Sequence, residues 1–168
     1  MIAGKKYNGK ELEIANFARY GSTVSPSKET NPDFMQFSVT KDNHDKLLVS
    51  EPDYVIIYLG NNDGKKLTWE ASGEKSFISN YNALIDIYEG LPSKPKVLLV
   101  NPPAILKCFK GFNSDAFHQK DVINVFTKKA ITDIAAERKL GLIDIYKGLG
   151  GIGGPDEDKW CSQIKDNG

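Results

Sequence analysis

The stretch DYVIIYLGNNDGK, residues 53–65, is an apolar run that ends abruptly in Gly, Asn and Asp. A short apolar run without alternation reads as a strand covered on both faces. Three more short apolar segments, Leu12 to Phe17, Val97 to Val100 and Leu142 to Ile145, read as strands beside it. Between them, EKSFISNYNALIDIYEGL places Phe77, Ile78, Tyr81, Leu84, Ile85 and Tyr88 at steps of three and four, which is one apolar stripe of a helix. Gly90 and Pro92 are expected to end it. In DVINVFTKKAITDIAAERKLG a second stripe runs through Val122, Ile123, Phe126, Ala130, Ile131, Ile134 and Ala135, with Gly141 expected as the cap. Strands alternating with helices predict βαβ crossovers and a three-layer α/β domain with a parallel sheet. In such a sheet the working residues leave the carboxyl ends of the strands. That rule selects three loops: Ala18 to Thr23, Gly60 to Lys65 and Asn101 to Ile105.

The length of 168 residues fits one domain with a real core. Basic and acidic side chains balance at 22 each, which argues against a nucleic-acid partner, whose phosphates call for a basic excess. No apolar run approaches the roughly 20 residues of a membrane span, and MIAGKKYNGKE has no signal-like apolar region. The expectation is a soluble chain without nucleic-acid or membrane partners, its localisation left open. Cys108 and Cys161 have neither redox nor metal-ligand spacing and read as small buried or half-buried residues. His44 and His118, the only histidines, show no carboxylate pattern beside them, so no metal site is expected.

The loop GNNDGK invites comparison with a phosphate-binding loop, but Gly60 and Gly64 enclose three residues where that motif needs four, and no Ser or Thr follows Lys65. Two readings remain: a plain turn, since Asn, Asp and Gly tolerate unusual backbone angles, or a turn that presents an amide to chemistry.

The second reading gains from the rest of the chain. ELEIANFARYGSTV is a strand running into Asn16 with Gly21 five residues later, and LGNNDGKKLTW follows one crossover on. This pair resembles the second and third sequence blocks of the SGNH hydrolases, the GDSL-type esterase family. Trp69, KPKVLLVNPP and AERKLGLIDIY resemble the branch that includes sialate and carbohydrate O-acetylesterases. The resemblance implies a flavodoxin-like parallel sheet of the SGNH type. It further implies that the Gly21 N–H and the Asn62 side chain form an oxyanion hole, with Asp63 a loop-stabilising carboxylate. Asp63 and Trp69 are expected at the substrate. The residue types suit the chemistry: Gly21 has no Cβ to block close approach, and Asn62 carries a neutral amide donor where an ionised Asp could only accept.

Two parts of the family pattern are absent from these residues. The sequence contains no Gly-Asp-Ser block, which carries the family's nucleophile, and no Asp-x-x-His-Pro block, which carries its base. The resemblance therefore implies a domain incomplete at both ends and missing its first strand, the strand that lies between the second and third in the family. Asp166 is the candidate triad acid, with Asn167 the alternative. The complete enzyme would cleave small acyl esters, O-acetyl groups on a sugar foremost, through an acyl-serine and without cofactor. The chain by itself is expected to be inactive. A non-catalytic carbohydrate-binding or interaction module is the other reading, and a nucleotide-binding α/β domain a third.

Overall fold

The computed structural model describes residues 2–7, 9–25, 41–106, 119–150, 158–159 and 161–162. Strand β1 (Ile2–Tyr7) pairs antiparallel with β2 (Lys10–Ile14), Tyr7 opposite Lys10 and Ile2 opposite Ile14. Helix α1 (Lys41–Leu48) precedes β3 (Tyr54–Ile57). A 3-10 turn, Asn62–Gly64, leads into the long helix α2 (Lys66–Glu89) and then β4 (Lys96–Asn101). A π-helical stretch, Val122–Thr127, runs into α3 (Lys128–Glu137), followed by β5 (Gly141–Asp144) and the short α4 (Ile145–Gly148). The parallel sheet has the order β3-β4-β5. The fold is α/β.

The expected strand over Leu12 to Phe17 is displaced and differently paired. It begins at Lys10, ends at Ile14 and joins β1 in a sheet of its own. The cause lies in the turn: Asn-Gly is the dipeptide a tight hairpin prefers, and Gly9 has the positive φ, 78°, that such a turn demands. A local antiparallel partner thus takes the hydrogen bonds that the parallel sheet would have offered.

One face of the parallel sheet makes the core. Val55, Ile57, Val97 and Leu99 pack with Phe77, Tyr81, Leu84 and Ile85 of α2 and with Ala130, Ile131 and Ile134 of α3. Full burial of side chains such as Phe77 and Ile131, both 0 % exposed, stabilises the fold by about 1.5–3 kcal/mol each. On the opposite face Tyr54, Ile56 and Ile143 remain 57, 61 and 41 % exposed. The expectation of cover on both faces therefore fails at β3, because α2 and α3, which touch each other, pack against the same side.

The helical stripes lie where periodicity placed them except at Phe126, which the π-helical stretch leaves 41 % exposed, and two further differences concern their ends. Gly73, at φ 68° and ψ 176°, breaks α2, so that the apolar stripe belongs to the segment after it and Trp69 to the segment before. Helix α3 is closed by Lys139, not by Gly141. Lys139 takes the left-handed conformation, φ 56°, with Leu140 N–H donating to Ala135 O at 2.9 Å and Lys139 N–H to Ala136 O at 3.3 Å. Gly141 instead opens β5, where a Cβ would lie 2.4 Å from Leu98 Cδ2. Lys139→Gly is expected to raise stability by up to about 1 kcal/mol, read as a higher urea midpoint at unchanged slope.

Arg138 ties the end of α3 to α2 through Asp86 Oδ1 at 2.6 Å, Glu89 Oε2 at 2.5 Å and Asn82 Oδ1 at 3.2 Å. Cys161 is buried, as the sequence reading expected; Cys108 lies outside the described residues. No described helix is long and apolar enough to cross a membrane.

Candidate oxyanion site

The loop after β3 is held by close packing on its π-helical neighbour. Gly60 adopts φ 121°, and a Cβ there would meet Thr127 Cγ2 at 2.6 Å. At Gly64 a Cβ would stand 2.4 Å from Ile123 Cγ1, and Gly64 O accepts from Gln119 N–H at 2.7 Å. Two turn bonds, Gly64 N–H to Asn61 O and Lys65 N–H to Asn62 O, each 3.2 Å, coil the backbone between these contacts. The Gly, Asn and Asp cluster does turn the chain, in a conformation with no room for a side chain at Gly60 or Gly64.

The same turn reaches across to the segment after β2. Asn62 Nδ2 donates to Ser22 O at 3.0 Å, bringing the loop beside Gly21, whose φ of 80° suits a residue without Cβ. An amide has two N–H donors, so this bond orients the group and leaves the second N–H for another acceptor. Both Asn62 and Gly21 are partly exposed.

Asp63 faces inward and is 0 % exposed. Its Oδ1 accepts from Val24 N–H at 3.0 Å and Ser25 N–H at 2.8 Å, and its Oδ2 lies 3.0 Å from the same Val24 nitrogen. Burial pushes its carboxyl up to about 6, against the opposing pull of the Ser25 and Val24 N–H groups. Tyr81 on α2 is pushed up in turn, first by its own burial and then by the nearby Asp63 charge. No atom of Asp63 stands at the surface, whereas Trp69, also expected at the substrate, is half-buried, stacked on Phe126 at 6.1 Å and tilted over Phe77 at 6.2 Å. Phe126 is 41 % exposed.

The third loop, after β4, is pinned by side chains. Asn124 accepts from Ile105 N–H at 2.9 Å and donates to Ile105 O at 3.1 Å, while Asn101 donates to Thr132 Oγ1 at 3.1 Å. Asp166, Asn167, His118, Ser114 and Cys108 lie outside the described residues. Val24, Ser25, Gln119 and Asn124 did not stand out in the sequence, because three of them act through backbone groups and the fourth is an Asn on a helical stripe.

The model of the GDSL-like lipase/acylhydrolase family matches residues 3–164, and the chain belongs to that family. Among solved structures, a putative arylesterase from Agrobacterium tumefaciens str. C58 is similar with a TM-score of 0.58 and 18 % identity, over 87 % of this chain and 76 % of the other. A carbohydrate acetylesterase family member from Sinorhizobium meliloti is similar with a TM-score of 0.55 and 17 % identity, over 76 % of this chain and 61 % of the other. The inhibitor-bound aryl esterase of M. smegmatis gives a TM-score of 0.54 and 17 % identity, over 87 % and 74 %. At these identities the likenesses establish the fold. A search of curated proteins finds no match.

Proposed function

We propose that this chain supplies the oxyanion-stabilising half of a serine ester hydrolase acting on small acyl esters, with acetylated carbohydrate as the favoured class. The single observation that carries the reading is the Asn62 Nδ2 to Ser22 O bond, which fixes a side-chain donor beside the Gly21 backbone across 40 residues of sequence. When an ester carbonyl is attacked, its oxygen becomes an oxyanion, and donors already fixed around it stabilise the charge without reorganising. Gly21 N–H and the second Asn62 N–H are the donors in this reading. The Asp63 bonds to Val24 and Ser25 hold the strand of chain that carries Gly21, and Trp69 with Phe126 offers a flat apolar surface suited to a sugar or aryl ring.

The nucleophile and the base are not provided by the described residues in this reading. The 168-residue chain is expected to turn over an aryl acetate no faster than an oxyanion hole and binding alone allow, about 10³–10⁴ over water. Restored with a Gly-Asp-Ser segment and a His-Pro segment from an aryl esterase, it is expected to hydrolyse aryl acetates. Asn62→Ala should then lower kcat about 10²–10³-fold with KM little changed. Equal activity of the restored Asn62→Ala chain would overturn the reading.

A further inference from the structure

Strand β3 has β4 on one side and, among the described residues, no strand on the other. Lys96 N–H donates to Asp53 O at 2.9 Å, so residues 53, 55 and 57 turn their backbone groups toward β4. By alternation the N–H and C=O groups of Tyr54 and Ile56 point away from the sheet, and Tyr58 continues the row. The side chains of the same three residues are 57, 61 and 48 % exposed. Monomeric proteins blunt such an edge with a Lys, a Pro or a bulge. From Tyr54 to Gly60 there is no charged residue and no Pro. The opposite edge strand, β5, reads Gly-Leu-Ile-Asp and ends in the charge of Asp144. The stretch Tyr54-Val55-Ile56-Ile57-Tyr58 is also nearly palindromic, since backwards it reads Tyr-Ile-Ile-Val-Tyr. A strand that reads alike in both directions is its own antiparallel complement, which an isologous twofold contact requires.

We propose that β3 is the contact through which two copies of this chain pair, edge to edge and antiparallel, about a twofold axis at Ile56. In that register Ile56 lies opposite Ile56 of the second copy, and Tyr54 opposite Tyr58. All three residues turn their N–H and C=O groups outward, so each facing pair exchanges both its N–H···O bonds and the ladder to β4 is undisturbed. On the open face the side chains meet as Tyr with Tyr and Ile with Ile, the cross-strand pairs that stabilise antiparallel sheets. Glu51 and Asp53 precede the strand, and Lys65 and Lys66 follow its loop. The antiparallel arrangement brings the acidic end of one copy toward the basic end of the other, whereas a parallel one would set like charges together. The result is one continuous sheet ordered β5-β4-β3-β3-β4-β5. Each copy spends its open edge in the contact, so assembly closes at the dimer. A single strand pair buries less than the roughly 1,200 Å² of a standard interface, which makes the dimer a weak one, with Kd on the order of tens of micromolar. The contact stands independently of the oxyanion reading of Gly21 and Asn62.

Sedimentation velocity of the full chain from about 5 µM to about 500 µM tests the pairing, with a shift from monomer to dimer expected across that range. Ile56→Lys places two like charges opposite each other on the axis, at a position exposed in the single chain, and should weaken association at least about tenfold. Ile143→Lys is the control. Ile143 is also exposed, but it lies on β5, two strands from the pairing edge, so its replacement should leave association unchanged. Hydrogen exchange of wild type, read residue by residue by mass spectrometry, decides the point if Ile56→Lys does not fold. The Tyr54 and Ile56 amides should exchange about fivefold more slowly at about 500 µM than at about 5 µM, while the Val55 and Ile57 amides, bonded to β4, stay slow at both. A chain that remains monomeric at the upper concentration, growth past the dimer, or Tyr54 and Ile56 exchange that ignores concentration overturns the proposal. So does a dimer undiminished by Ile56→Lys, or one that Ile143→Lys abolishes as completely, which would mean that the open faces stack instead.

Discussion

Gly60→Ala should destabilise the chain by about 2–6 kcal/mol, enough to lower the urea midpoint severely or to prevent folding of a marginal domain. Two separate costs meet at that position. The backbone sits at φ 121°, a region that residues with a Cβ enter only under strain of about 1–3 kcal/mol. The new methyl would also stand 2.6 Å from Thr127 Cγ2, and Thr127 is 0 % exposed. Overpacking of that kind costs about 1–3 kcal/mol. Thr127→Ser removes the opposing methyl while keeping the hydroxyl, so the double variant should recover the steric part and not the backbone part. A double-mutant cycle measured by urea denaturation separates them. If Gly60→Ala is within about 0.5 kcal/mol of wild type, the loop is not pressed against the π-helical stretch and the placement of Asn62 loses its support.

That packing also explains which parts of the molecule could be read in advance. Periodicity reported the elements that bury a continuous stripe: Phe77 to Tyr88 on α2, Ala130 to Ala135 on α3, and the apolar runs of β3, β4 and β5. Local chemistry outweighed periodicity at the N-terminus, where the Asn8-Gly9 dipeptide, which the sequence reading did not single out, favours a hairpin, and the apolar residues after it were not enough to place β2 in the parallel sheet. At the end of α3 a Gly two residues too late competed with Lys139, whose left-handed backbone no side-chain preference announces. The candidate site divides in the same way. Gly21 and Asn62 were reachable through the family resemblance, since their residue types carry the chemistry. The ties that bring them together run through the carbonyl of Ser22 and the N–H groups of Val24 and Ser25, which every residue except proline possesses, so no pattern in the sequence distinguishes them.

The pH dependence of stability gives the second large effect, and its sign is opposite to that of a salt-bridged carboxylate. Burial pushes the Asp63 carboxyl up to about 6 in the folded chain from 3.8 for a free aspartate carboxyl, so between those values the folded state binds more protons than the unfolded state. Stability therefore falls as pH rises through that window: the contribution is fully present below about pH 4 and is lost above about pH 6. A displacement of about two pH units corresponds to about 3 kcal/mol. Other carboxylates titrate in the same interval, and Asp63→Asn removes this one from the sum. The stability difference between wild type and Asp63→Asn, taken from urea curves at about pH 4, 5, 6 and 7, should shrink by about 3 kcal/mol from the acid to the neutral end. Val24 and Ser25 N–H groups keep an acceptor oxygen in the Asn variant, so a constant offset is expected beneath the slope, because one amide oxygen replaces two carboxylate oxygens. Parallel curves across the whole range would mean that the Asp63 charge reaches solvent, and the argument for a carboxylate locked inside the turn would fall with it.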